Sequence, residues 1–185
     1  MTIRHGFIAI LLLSTVGQAQ AYSYAAAGKE PLIDAREQLL SAASEGLDGS
    51  AILAGLSEEL SYLEQHHKVV LQAPLAAAIA AKDAQGTAAL LNRAYKAEIE
   101  RRLEGARQNL GDYQTAKVLV VKSKRFLDLI LPSLSEEDRT AADQALTQVL
   151  AAIGNPGVFG VGAKAADSQA FDSAEQALMA VLAPR

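Results

Sequence analysis

Apolar residues recur at alternating steps of three and four positions along three segments of the chain. The stripe within residues 50–72 consists of Leu53, Leu56, Leu60, Leu63, His67 and Val70. The stripe within residues 87–110 consists of Leu91, Tyr95, Ile99, Leu103, Ala106 and Leu110. The third stripe consists of Tyr113, Ala116, Val120, Ser123, Leu127, Ile130 and Leu134. Such spacing puts side chains on one helix face, so the pattern predicts three amphipathic helices packed at shallow angles.

Glycine, proline and capping residues divide the chain into six main helical segments and a last helix. The predicted segments are 31–45, 50–72, 74–82, 87–110, 112–131, 135–154 and 168–182. Ser50 and Asp112 are the predicted N-caps of two long helices, Pro74 forces a break, and Gly154 is a predicted left-handed C-cap. Short connections between long helices indicate an all-α fold, an antiparallel up-and-down bundle of four long helices with shorter segments.

Composition narrows the classes of function. The formal net charge is −4 at pH 7, which disfavours nucleic acid as a partner because lysine and arginine dominate affinity for phosphates. Cysteine is absent, which excludes disulfides, thiolate metal sites and thiol nucleophiles.

The first 21 residues have the three regions of a secretory signal peptide. Arg4 lies in a positive start, residues 6–16 are apolar, and Ala19-Gln20-Ala21 is a small-x-small cleavage pattern. The apolar run is shorter than the roughly 20 residues that span a membrane. We therefore predict cleavage after Ala21 and a single periplasmic helical domain over 22–185, without a membrane span. The lack of an Asn-x-Ser/Thr site fits a bacterial periplasm.

His67 occupies a stripe position where an apolar side chain is expected. Glu64 lies three residues earlier, and a Glu-x-x-His pair is half of the motif that builds di-metal sites in helical bundles. A metal site would use His67, His66, Glu64 and Glu98, and would take copper, zinc or iron. The alternative, which we favour, is a structural His67 that hydrogen-bonds to Glu or Tyr of a neighbouring helix.

The charged run 98–104 lies beside the second stripe. Glu98 and Arg102 form an attractive i,i+4 pair, whereas Glu100 and Glu104 repel each other. A solvated helix face is the favoured interpretation, with a partly buried Glu98–Arg102 pair as an alternative.

Residues 109–125 hold many polar side chains that can form specific hydrogen bonds, followed by a basic surface. The candidate ligand- or partner-binding residues here are Asp112, Tyr113, Gln114 and Lys117, and the basic residues that follow are Lys122, Lys124 and Arg125. This segment predicts either one wall of a site for an anionic ligand or a helix junction with a solvated basic face, and we favour the junction.

The glycine-rich loop at 154–164 is not a phosphate-binding loop, because Ala163 stands where that motif needs lysine. Val158, Phe159 and Val161 are apolar residues within it. We expect them to tuck over the end of the bundle. In the alternative they form an exposed contact surface, in which Phe159 binds a partner.

These residues suggest three alternative hypotheses for the function of the chain. The first is a non-enzymatic periplasmic accessory or binding protein, without a cofactor, that acts on a protein partner or a small ligand. The second is a periplasmic metal-binding protein that uses His67 and nearby carboxylates. The third, which is least favoured, is an acid–base enzyme that uses Glu98 and His67.

Overall fold

A computed structural model describes residues 28–183, and the predicted signal peptide lies outside this range. The α-helices of the described part are α1 (Pro31–Asp34), α2 (Arg36–Glu45), α3 (Ser50–Gly55), α4 (Ser57–His67), α5 (Gln72–Ala80), α6 (Ala84–Gln108), α7 (Tyr113–Ile130), α8 (Glu136–Ala152) and α9 (Ser168–Val181). A short 3-10 helix, Leu131–Ser133, follows α7. The predicted all-α class is confirmed. None of the helices in residues 28–183 combines the length and apolar character needed to cross a bilayer.

Helix α6 is the central element, because α2, α4, α5, α7 and α9 all pack against it. The predicted stripes of α6 and α7 are buried, apart from partly buried residues at their ends. The rings of Tyr95 and Phe126 meet between these two helices, with centroids 5.8 Å apart. The Tyr95 hydroxyl donates a hydrogen bond of 3.3 Å to the carbonyl of Leu32, which ties α1 to the core.

Two of the predicted helix ends have the expected chemistry. The carboxylate of Asp112 accepts hydrogen bonds from the backbone N–H groups at the start of α7, as an N-cap does. Gly154 follows α8 with a φ of 80°, a left-handed conformation that suits glycine.

The predicted continuous helix over 50–72 is wrong. The chain breaks at Leu56 into α3 and α4, directly after Gly55, which weakens a helix interior. Helix α4 then ends at His67, and Lys68 adopts a left-handed φ of 59°. The stripe therefore stops before Val70, which is exposed. Gly49, rather than Ser50, is the N-cap residue of α3.

Pro74 also behaves differently from the prediction. It lies in the first turn of α5, which begins at Gln72. Proline is tolerated there because the first N–H groups of a helix have no partner within it. The break in the chain comes earlier, at residues 68–71.

Helices α8 and α9 pack against each other and are joined by residues 153–167. Backbone hydrogen bonds of 2.8 Å pair Asn155 with Lys164 in both directions, and a further bond of 2.8 Å joins the N–H of Asp167 to the carbonyl of Ala152. These bonds close the base of the connection. Residues 153–167 thus form a narrow antiparallel ribbon, which we call the hairpin loop.

Candidate functional site

The tip of the hairpin loop carries three exposed apolar side chains. Val158, Phe159 and Val161 have exposed fractions of 73%, 103% and 80%. The expectation that they tuck over the end of the bundle is therefore wrong. Backbone N–H and C=O groups pair with each other across the loop, and the apolar side chains at its tip stay exposed.

A tight turn of the backbone forms this tip. Val158 and Val161 exchange two backbone hydrogen bonds, of 3.0 and 3.1 Å, around Phe159 and Gly160. These two central residues have φ values of 50° and 82°. Positive φ at both positions is the requirement of a type I′ hairpin turn, in which Asn, Asp or Gly is preferred. A phenylalanine at the first position is strained, at a cost of about 1–2 kcal/mol.

Few charges surround the tip. Between Gly154 and Asp167 the sequence contains one charged residue, Lys164. It lies at the base of the ribbon, where its backbone pairs with Asn155. The tip thus presents an apolar, uncharged surface to its surroundings.

The predicted residues at the start of α7 form a local group. The Asp112 carboxylate accepts hydrogen bonds from the N–H of Gln114 (3.1 Å) and from the hydroxyl of Thr115 (2.7 Å). Hydrogen bonding from Thr115 lowers the pKa of Asp112 below its usual value. The Lys117 ammonium lies 5.6 Å from the centre of the Tyr113 ring. Asp112 is thus occupied by helix capping, while Gln114 and Lys117 are exposed to solvent.

His67 lies at the end of α4 with 7% of its side chain exposed. Its Nδ1 atom is 3.8 Å from the Oε2 atom of Glu100 on α6, so its nearest charged partner comes from a neighbouring helix. His66 lies outside this contact, because its ring stacks on that of Tyr62 with centroids 4.3 Å apart.

The four predicted metal ligands are not brought together. Glu64 is exposed on α4, whereas Glu98 is buried on α6 with its carboxylate bound by arginine. Within residues 28–183, no three His, Asp or Glu side chains are arranged to hold a metal ion. Metal binding at His67 stays a prediction.

A buried cluster of charges extends the Glu98–Arg102 pair. The Oε2 atom of Glu98 accepts hydrogen bonds from Arg102 (2.5 Å) and Arg101 (2.9 Å). Arg102 also donates to Glu30, just before α1, and the Lys122 ammonium on α7 lies 3.1 Å from the other oxygen of Glu30. Glu98, Arg102 and Lys122 were candidate residues from the sequence. Glu30 was not among them, because no local pattern links residues 72 positions apart.

A cleft of about 220 Å³ opens beside this cluster. Its lining includes the apolar residues Pro31, Leu32 and Phe126 as well as the charged ones. The guanidinium carbon of Arg102 lies 4.9 Å from the centre of the Phe126 ring, which fixes the planar cation against the wall of α7. The cleft therefore combines oriented charges of both signs with an apolar surface.

The chain is thus an all-α protein with an exposed apolar hairpin tip and a cleft built on buried charges. Comparisons with protein-family models, with curated proteins and with solved structures find no match.

Proposed function

We propose that this chain is an exported periplasmic accessory protein that binds a partner protein through the tip of its hairpin loop. Phe159 would insert into an apolar pocket of the partner, with Val158 and Val161 on either side of it. The observation that carries this proposal is the full exposure of Phe159 at a left-handed backbone position. The protein acts by binding and has no catalytic role in this proposal.

Phe159 does not stabilise the fold of the isolated chain. Its ring is exposed, so it buries no apolar surface, and its backbone is strained. Asn or Gly at this position would form the same turn without strain. Strained residues that persist in a fold point to a role outside the fold itself. Burial of the Phe159 ring in a partner would contribute about 1.5–3 kcal/mol.

A protein partner fits this surface better than a membrane does. Peripheral membrane contacts combine apolar insertion with lysine and arginine residues that attract anionic lipids. The hairpin loop has a single lysine, Lys164, and the chain has a formal net charge of −4. Electrostatic repulsion would oppose the approach of this chain to an anionic surface.

Export rests on the predicted signal peptide, residues 1–21. Expression of the full chain in a bacterial host, followed by fractionation and mass measurement, tests this part of the proposal. A periplasmic product that begins at Tyr22 is the expected result. A cytoplasmic product of full length would contradict it.

Photo-crosslinking from the tip tests the docking. A photoreactive phenylalanine analogue replaces Phe159 in the expressed protein, and the matched control carries the same analogue at Gln144, an exposed position on α8. A crosslinked protein that depends on position 159 is identified and purified. Its dissociation constant is then measured for the natural chain and for Phe159→Asn, which keeps the turn.

The expected result is a dissociation constant about 10- to 150-fold higher for Phe159→Asn, which corresponds to the loss of one buried aromatic side chain. An unchanged dissociation constant would refute docking through the tip. Flotation with vesicles that contain anionic lipids, or dimerisation of the pure chain lost in Phe159→Asn, would assign the tip to a membrane or to a second copy instead.

A further inference from the structure

We propose that the cleft beside the buried charge cluster is a binding site for a small organic carboxylate. The ligand carboxylate would pair with Lys122, and its apolar part would lie against Pro31 and Phe126. This site is separate from the hairpin tip, and it gives the chain a small-molecule ligand that the proposed docking does not require.

The charges around the cleft favour an anion. Its charged lining residues are the cations Lys29, Arg101, Arg102 and Lys122 and the anions Glu30, Glu59 and Glu98. The lining therefore has one positive charge in excess, although the whole chain is negative. A monoanion would neutralise this excess, and partial enclosure strengthens such an interaction relative to bulk water.

Two cations of the cluster have hydrogen-bond donors to spare. Within residues 28–183 Lys122 has one ion-pair partner, Glu30, and an ammonium group has three donors. The Nε atom of Arg102 and the Oε1 atom of Glu30 are both buried without a hydrogen-bond partner in the same range. Both cations contact the carboxylate of Glu30, so their donors lie close together. A bound carboxylate would offer further acceptors to the ammonium group of Lys122.

The dimensions of the cleft limit the ligand to a small molecule. Its volume of about 220 Å³ is below the roughly 300–1,000 Å³ of pockets that hold drug-sized ligands. Pro31, Leu32 and Phe126 give it an apolar wall, which a fully hydrated inorganic anion would not use. A carboxylate with a short hydrocarbon chain matches the charge, the size and the wall together.

Titration of butyrate into the purified protein, followed by NMR of the backbone amides, tests the proposal. We expect saturable shifts at residues 30–32 and near Lys122. Butylamine, which has the same hydrocarbon chain and the opposite charge, should produce none of these shifts. Sodium chloride at equal ionic strength controls for screening, and inorganic phosphate tests whether any anion suffices.

Substitutions locate the site. Lys122→Gln should weaken butyrate binding about tenfold or more, because it removes a charged hydrogen bond. Lys124→Gln is the matched control on the same helix, since Lys124 pairs with Asp128 and is not a lining residue. Lys29→Glu, on the exposed rim of the cleft, should also weaken butyrate binding. If Lys122→Gln fails to fold, an unchanged butyrate affinity of Lys29→Glu would overturn the proposal.

Three outcomes would overturn the proposal. They are the lack of saturable butyrate binding, equal binding of butyrate and butylamine, and an affinity that Lys122→Gln in a folded protein leaves unchanged. Tighter binding of phosphate than of butyrate would overturn the carboxylate assignment.

Discussion

Replacement of Arg102 by methionine tests whether the buried charge cluster supports the fold. Arg102 is 6% exposed and binds two carboxylates that are each 2% exposed, Glu98 and Glu30. Loss of one partner from a buried ion pair typically costs about 3–5 kcal/mol, because the remaining charge is left uncompensated. Arg101 still contacts Glu98, and Lys122 still contacts Glu30. We therefore expect the lower end of that range, about 3 kcal/mol.

Urea unfolding followed by far-UV circular dichroism measures this loss. With an m-value of about 2 kcal/mol/M, the loss lowers the urea midpoint by about 1.5 M. Arg93→Met is the matched control, because it makes the same change at an exposed position of the same helix. This control should change the free energy of unfolding by less than about 0.5 kcal/mol.

A double-mutant cycle with Glu98→Gln separates the ion pair from the lost packing of the arginine stem. The Glu98–Arg102 coupling energy should be at least about 1 kcal/mol, since the two groups share a short buried hydrogen bond. If Arg102→Met costs no more stability than Arg93→Met, or if the coupling energy is near zero, the buried charge cluster does not support the fold.

Four further predictions concern the loop and α9. Phe171→Ala should lower the free energy of unfolding by about 3–5 kcal/mol because the ring of Phe171 is fully buried. Phe159→Asn should instead stabilise the fold by up to about 1–2 kcal/mol because it relieves the strained turn. The urea midpoints of the two variants check both predictions. Gly154→Ala should lower the melting temperature more than Gly160→Ala, since a Cβ at Gly154 would lie 2.5 Å from a backbone carbonyl and one at Gly160 meets open space. Burial, together with acidic neighbours, raises the pKa of Glu175, so ionisation of this carboxyl opposes folding. Glu175→Gln should therefore raise the urea midpoint at pH 7. This gain should vanish at pH 3, where the carboxyl is protonated in both the folded and the unfolded state.

Helices whose ends and faces depend on nearby residues could be predicted from the sequence. Asp112 and Gly154 act on atoms within a few positions of themselves, so their roles at α7 and α8 followed from residue type. The stripe from Leu91 to Ala106 is buried because a regular spacing along α6 puts these residues on its packed face. The break at Leu56 was missed, since the apolar spacing continues across it.

The candidate sites depend on information that local patterns lack. Glu30 meets Arg102 across 72 positions, and only the packing of the segment before α1 against α6 brings them together. The exposure of Phe159 follows from backbone pairing within the hairpin loop, whereas residue type alone favours burial of phenylalanine. A signal for a tight turn was present in the glycines around Phe159, but it did not reveal the direction of the side chain.

The most extensive helix contacts, α6 with α7 and α8 with α9, join neighbours along the chain. Each of these pairs can form after closure of one connection, 109–112 or 153–167, so the entropy lost in bringing them together is small. Chains dominated by such contacts reach their transition state rapidly, and we expect refolding within milliseconds. The Glu30–Arg102 contact closes a far longer segment and should form after the rate-limiting barrier. Its loss would then accelerate unfolding and leave the refolding rate nearly unchanged.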